Sequence, residues 1–431
     1  MAAPVMGLFA AGLATDPLLA TLTQRFMPAA GSFVVSFLPL FLLGAVFGKL
    51  MEDSGAAMSL ARAVLARLGP SQAMSAVVFT CAALTYGGVS LFVVAFAVYP
   101  LALALFRSSG IPHRLIPGAI ALGSFTFTMS ALPGSPAIQN AIPMPYFGTT
   151  TFAAPGLGII AGIFMAAAGL LYLTRVAKAD AGDEVDQSGV DICLESEDLP
   201  PIYLAITPIL MVFAGNWILA EIVFPRADLT YLSEPSWGAM SPSQVIGMWS
   251  LIGGLFLAIL ALFALSWRSL DEPKATFASG SQAALLPLFN TAALVGFGAV
   301  IAALPAFGSV NDLIVQIPGG ALTGLAAAAS ILAGITGSAS GGMSIALDTV
   351  GAYYLGLATS EGIDPAALHR IVALATGGLD ALPHNGAVVT LLSIGGLTHK
   401  EAYGPIFVVA VVIPVIAMLI TLSLATTFGV F

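Results

Sequence analysis

Apolar runs of 18 to 39 residues follow one another along almost the whole chain, separated by short polar punctuation. They cover roughly Ala2–Ala20, Gly31–Gly48, Gln72–Phe106, Leu115–Phe152, Pro155–Thr174, Pro201–Phe224, Ser243–Trp267, Gly280–Leu304, Gly319–Leu357, His369–Leu397 and Ala402–Phe428. About twenty apolar residues carry a helix across a hydrocarbon layer, so the pattern predicts an all-α polytopic membrane protein. The stretch from Gly48 to Gly69 predicts a short helix at the membrane surface. Residues 175–200 form an acidic cytoplasmic linker, with eight acids and two bases between Arg175 and Leu199.

Two runs have the wrong length for ordinary spans. Gln72–Phe106 is too long for one crossing and short for two, and Thr85-Tyr86-Gly87-Gly88 interrupts it. Arg62 and Arg67 precede it; Arg107 and Arg114 follow. If positive charge marks the cytoplasm, the chain leaves and returns on one side, as a re-entrant hairpin with its tip at Gly87-Gly88. Gly319–Leu357 has the same form, its tip lying in Thr336-Gly337-Ser338-Ala339-Ser340-Gly341-Gly342. In His369–Leu397 the cluster Asp380, Pro383, His384, Asn385 and Gly386 sits inside an apolar run. Proline removes a backbone donor and glycine loosens a helix. Irregular backbone at membrane depth survives only where it is buried or lines a cavity, which predicts a broken helix at a binding site.

The chain says nearly the same thing twice. Ser130-Ala131-Leu132-Pro133-Gly134-Ser135-Pro136-Ala137-Ile138 echoes Asp380–Val388 at an offset of 250; Gly87–Leu91 echoes Gly341–Ile345 at 254; Leu38–Phe41 echoes Leu286–Phe289 at 248. Three echoes in order at near-constant spacing indicate an internal duplication. Tracing the spans from the first hairpin puts Lys49, Arg62, Arg67, Arg107, Arg114, Arg175, Lys178, Arg268, Lys274 and Lys400 in the cytoplasm and Arg25, Arg226 and Arg370 outside. That trace inverts the repeats. Residues 1–174 form the first (hairpin about 72–106, broken helix about 115–152). Residues 201–431 hold an extra helix and the second (hairpin about 319–357, broken helix about 369–397). The extra helix, Pro201–Phe224, has no counterpart after Met1, so either the fold is asymmetric or a helix precedes the recorded start. Inverted repeats with paired, interrupted helices point to a secondary transporter.

Composition narrows the picture. The 431 residues are 58% hydrophobic and 8% charged, with mean hydropathy +0.99. The net charge of −9 owes most to the linker, and no basic stripe is present to hold nucleic acid. Cys81 and Cys193 offer neither a disulfide framework nor a metal site. No base precedes the first apolar run, which favours a membrane helix over a cleaved signal peptide. No phosphate-binding loop for ATP is present.

No Lys or Arg lies well inside an apolar run, so an anion would rely on helix N-termini, free N–H groups and hydroxyls. The candidate substrate-binding residues are Gly87, Gly88, Ser90, Ser130, Ser135 and Asn140 in the first half. In the second they are Gly337, Ser338, Ser340, Gly341, Gly342, Asn385 and Thr390. Asp380, His384 and Asp348 are the ionisable groups at depth and the candidates for proton coupling.

At Gly48-Lys49-Leu50-Met51-Glu52-Asp53-Ser54-Gly55-Ala56-Ala57 and at the two Gly/Ser tips, the sequence resembles the gluconate permease family of organic-anion symporters. The resemblance implies hairpins meeting at the substrate, proton coupling, an elevator-like motion, a homodimer and a bacterial inner membrane. It also implies sugar-acid or short hydroxy-acid substrates, gluconate-like or hydroxybutyrate-like. No cofactor is implied beyond the coupling ion, H⁺ or alternatively Na⁺. A more distant reading, an intramembrane aspartyl protease built on Asp348 and Asp380, lacks the glycine adjacent to the catalytic acid: the chain reads Gly378-Leu379-Asp380.

Overall fold

The computed structural model describes residues 17–68, 72–89, 91–179, 199–270, 272–304 and 317–431, with isolated positions before residue 13. Ser90, most of Ala2–Ala20 and nearly all of the acidic linker lie outside the described residues. Every described element is helical, as an apolar solvent demands when each backbone group must find its partner locally.

Among the described residues, six helices are long and apolar enough to cross a membrane. They are α1 (Leu18–Asp53), α6 (Pro155–Ala179), α7 (Ile202–Arg226), α8 (Pro242–Ser266), α9 (Pro273–Ala302) and α15 (His399–Phe428). Between them lie α2 (Ala56–Leu68), α3 (Ala73–Tyr86), α4 (Leu91–Ser108) and α5 (Ile116–Ser124). The second half adds α10 (Gly320–Thr336), α11 (Ala339–Ala346), α12 (Ala352–Ser360), α13 (Pro365–Leu379) and α14 (Gly386–Ile394).

The helix pairs expected at the tips are present: α3 turns into α4 through Gly87-Gly88-Val89, and α10 into α11 through Gly337-Ser338. Both turns use glycine at positive φ, 97° at Gly88 and 60° at Gly337, a region closed to most side chains. A five-residue π turn, Leu347–Gly351, joins α11 to α12. The two interrupted helices are also present. After α5 and the short turn Phe127–Ser130 the chain is non-helical over 131–137, then resumes at Ile138–Ala141 and Pro143–Phe147. The second interruption, 380–385, separates α13 from α14. One boundary is corrected. The separate spans expected at Ala2–Ala20 and Gly31–Gly48 do not end and begin around Arg25: α1 runs through that region, absorbing Leu22–Phe26 as a π turn.

α1 and α9 carry the Leu38–Phe41 and Leu286–Phe289 echo, and they pack along their lengths. Thr276 Oγ1 donates to Asp53 Oδ2 at 2.7 Å, a Cβ on Gly280 would meet Val46, and one on Gly296 would meet Phe26. As numbers rise on one helix they fall on the other. The pair is antiparallel, with Pro39 and Pro287 level, and antiparallel pairing of equivalent helices is the local signature of a two-fold axis lying between them. Each hairpin also packs the same way on its own interrupted helix: α3 on α5, α10 on α13.

Candidate functional site

At the second interruption, Pro383 and the turn at 380–385 stop α13, and Asn385 starts α14. The Asn385 Oδ1 accepts from the N–H groups of Ala387 (2.6 Å) and Val388 (3.1 Å). Its Nδ2 donates to the carbonyls of Gly337 (3.1 Å) and Asp380 (2.8 Å). All four hydrogen-bonding positions of the amide are therefore filled, so Asn385 braces the tip against the break. His384 is exposed beside Gly337, where a Cβ would come within 2.6 Å of the imidazole. The Asp380 Oδ1 is buried and has no hydrogen-bond partner. Thr390 bonds back to the carbonyl of Gly386.

The tip residues divide by role. Ser338 caps α11 by accepting from the Gly341 N–H at 3.1 Å, and Ser340 Oγ lies 3.3 Å from Thr291 Oγ1 on α9. A Cβ on Gly341 would meet Leu294 at 2.7 Å, and one on Gly342 the backbone of Ala333 at 2.3 Å. These two glycines permit close helix packing, on α9 and α10 respectively. At the other tip a Cβ on Gly87 would meet Ile209, and one on Gly88 would meet Pro136 in the first interruption. Asp348, on the π turn, accepts a hydrogen bond from the Tyr146 hydroxyl of the first half.

The two interruptions treat their carbonyls alike. In the first, Ser130 O takes Arg370 Nη1 (3.5 Å), Pro133 O takes the Tyr86 hydroxyl (2.6 Å) and Ser135 O takes Asn140 Nδ2 (3.1 Å). In the second, Asp380 O takes Asn385 Nδ2, Ala381 O takes the Tyr403 hydroxyl (3.1 Å) and Pro383 O takes His399 Nε2 (2.9 Å). Ser130 and Asp380, and Pro133 and Pro383, are equivalent at the offset of 250. Even the caps correspond: Ser135 Oγ accepts from Ala137 N (3.3 Å) as Asn385 Oδ1 does from Ala387 N. In each break, three carbonyls accept hydrogen bonds from side-chain donors.

The largest correction is Arg370. Read in the sequence as a charge flanking its apolar run, it is fully buried within the protein on α13, beside the equally buried His369. Its Nε donates to Ala153 O (3.1 Å), Nη1 to Asn140 Oδ1 (3.1 Å) and Ser130 O, and Nη2 to Thr151 O (3.2 Å) and Ala153 O (2.8 Å). All five N–H groups of a guanidinium are thus placed. His369 joins the same network, Nε2 to Asn140 Oδ1 at 3.2 Å and Nδ1 to Thr149 Oγ1 at 2.7 Å. Asn140 Oδ1 already accepts from Arg370, so His369 Nε2 is the donor. The following residue, Ala154, holds φ at 44°, an uncommon value for alanine, where the chain turns Ala153 O toward the guanidinium. A sequence signal did exist: the adjacent pair His369-Arg370 heads an apolar run with no other polar residue until Thr376.

A separate surface cavity of about 560 Å3, lined by Phe224, Asp228, Thr230 and Ile246 among others, shares no residue with either interruption.

Six spanning helices and two interrupted helices, each met by a hairpin tip, define a multi-pass membrane transporter. The chain is 42% identical over 430 residues to the uncharacterized transporter YxjC of Bacillus subtilis (strain 168), covering 95% of this chain and 91% of that protein, and it belongs to that transporter family. In fold it is similar to the YdaH transporter of Alcanivorax borkumensis, whose crystal structure is described as having an unusual topology. The TM-score is 0.58 at 17% identity, over 93% of this chain and 88% of that one. No family model matches the chain.

Proposed function

We propose that the protein is a secondary active transporter that carries a small organic anion with protons. The substrate is a hydroxy acid or sugar acid of the gluconate or hydroxybutyrate kind, as the likeness to gluconate permeases implies. The observation that carries this reading is the matched pair of interruptions, each met by a hairpin tip and each with three of its carbonyls taken by side-chain donors. Substrate is held between the breaks by Ser130, Ser135 and the capped tip at Ser338. Asp380, whose Oδ1 has no hydrogen-bond partner among the described residues, takes the coupled proton, and His384, exposed beside Gly337 of the hairpin tip, relays it. The antiparallel α1/α9 pair supports inverted repeats, and inverted repeats support alternating access by exchange of the two halves' conformations. In this scheme α1, α7, α8 and α9 form a frame, the hairpins and interrupted helices move as an elevator, and the frame is the surface for a homodimer in a bacterial inner membrane.

Uptake into proteoliposomes of labelled gluconate, 3-hydroxybutyrate and related acids tests this directly, with pH and Na⁺ gradients imposed separately. Concentrative uptake driven by an inward proton gradient is the expected result. Uptake driven by Na⁺ alone replaces the coupling ion, and uptake of none of the acids overturns the reading.

A further inference from the structure

Among the described residues, Arg370 is a buried cation without a counter-ion. Its partners are three backbone carbonyls and one amide oxygen, and none is a carboxylate. The nearest acid on its own helix is the exposed Asp364, which caps the N-terminus of α13 by accepting from Ala366 N at 2.8 Å. Arg370 also stands in the second turn of that helix, the end at which a positive charge is disfavoured. Burying a lone charge is costly even when its hydrogen bonds are complete, because neutral dipoles offset only part of the lost hydration. A fully buried charge with no carboxylate partner is a candidate functional group.

The guanidinium cannot act by touching substrate, because each of its N–H groups is already engaged. What it can supply is its field. It lies one hydrogen bond from Ser130, and one residue further, through Asn140, from Ser135. Ser130 Oγ also packs against Gly377 of α13 and donates to Thr126 O at 3.1 Å, so Ser130 touches α13 at two points, the guanidinium and Gly377.

We propose that Arg370 is the fixed counter-charge of the transported anion, a specificity-determining residue that acts through space on a carboxylate held at the first interruption. The proposal deepens the anion-transporter reading and rests on it. A carboxylate arriving at Ser130 and Ser135 restores neutrality to a site that is +1 when empty, whereas a neutral analogue of the same shape gains nothing from it. The field of a unit charge about 10 Å away, at the effective dielectric of a protein interior, changes anion affinity on the order of tenfold.

The test compares wild type, Arg370→Gln, Arg370→Lys and Asn140→Asp for uptake of labelled gluconate and 3-hydroxybutyrate in proteoliposomes, alongside melting temperature in detergent. Glutamine removes the charge and lysine keeps it, yet both dismantle the hydrogen-bond network, so a purely structural role lowers stability and uptake alike in the two. Asn140→Asp places a carboxylate against the guanidinium while keeping the side chain's size, and guards against failure of Arg370→Gln to fold. The expected result is a KM raised about tenfold in Arg370→Gln and in Asn140→Asp, and within about threefold of wild type in Arg370→Lys. Equal KM values for the lysine and glutamine variants, or an unchanged KM in Asn140→Asp, overturn the proposal while leaving anion transport standing. Wild-type protein that takes up no carboxylate overturns both.

Discussion

At the scale of single residues, the interruptions separate groups that brace from groups that remain available. Asn140 and Asn385 were both legible as polar residues at depth, but their amides are saturated by protein partners, and sequence carries no information on which partner a buried amide finds. Asp380 is the opposite case, with a buried carboxylate oxygen lacking any hydrogen bond. Asp380→Asn is expected to abolish accumulation driven by a proton gradient while sparing counterflow exchange of the same substrate, which needs no net proton movement. Retained proton-driven accumulation would move the coupling group elsewhere. Asn385→Ala removes a helix cap and the link to the hairpin tip, and is expected to lower stability by about 1–2 kcal/mol. Ser135→Ala, which loses one long hydrogen bond of 3.3 Å, is expected to cost less; thermal melts of the two variants in one detergent check the order.

At the scale of elements, hairpins and breaks could be read from the chain because their chemistry is local. Gly87-Gly88, Gly337 and Pro383 stop helices by their own backbone properties, whatever surrounds them. The network around Arg370 is not local in that sense. Its acceptors lie 217 to 240 residues earlier, and the residue equivalent to Arg370 at the offset of 250 is Ile120. The duplication therefore gave no hint of it. The tip glycines also take on a different meaning once α9 is in view. Gly341 faces Leu294, and Gly298 of α9 faces Ile345 of α11, where a Cβ would approach to 2.3 Å. At both positions the missing side chain is what lets the hairpin approach α9 closely, and under the proposed elevator motion this contact is the one that must slide. Gly298→Leu is expected to reduce maximal uptake at least tenfold, with KM changed by less than threefold, in initial-rate measurements on purified protein.

At the scale of the whole molecule, α1 and α9 form an antiparallel pair, and the second hairpin packs on α9 through α11. The proposed division into frame and moving body makes distinct predictions for cross-linking. In a background lacking Cys81 and Cys193, a cysteine pair at Val46 and Gly280 joins two frame helices and is expected to leave uptake intact when bridged by mercury. A pair at Leu294 and Gly341 joins the frame to the hairpin and is expected to arrest uptake, reversibly on adding thiol. Arrest by the first bridge, or free transport through the second, would place the moving boundary elsewhere.

The engagement of Arg370 with residues 130–153 also bears on how the protein is made. α13 is 15 residues long and carries adjacent His and Arg side chains near its start, and an arginine at the centre of an inserting helix costs about 2.5–3.5 kcal/mol. The acceptors that satisfy it belong to a segment synthesised long before. This dependence predicts an order of assembly, in which residues 130–153 stay open until α13 emerges and docks. The half from residue 201 onward, expressed alone, is expected to leave α13 outside the membrane and accessible to protease, and co-expression of residues 1–200 is expected to protect it.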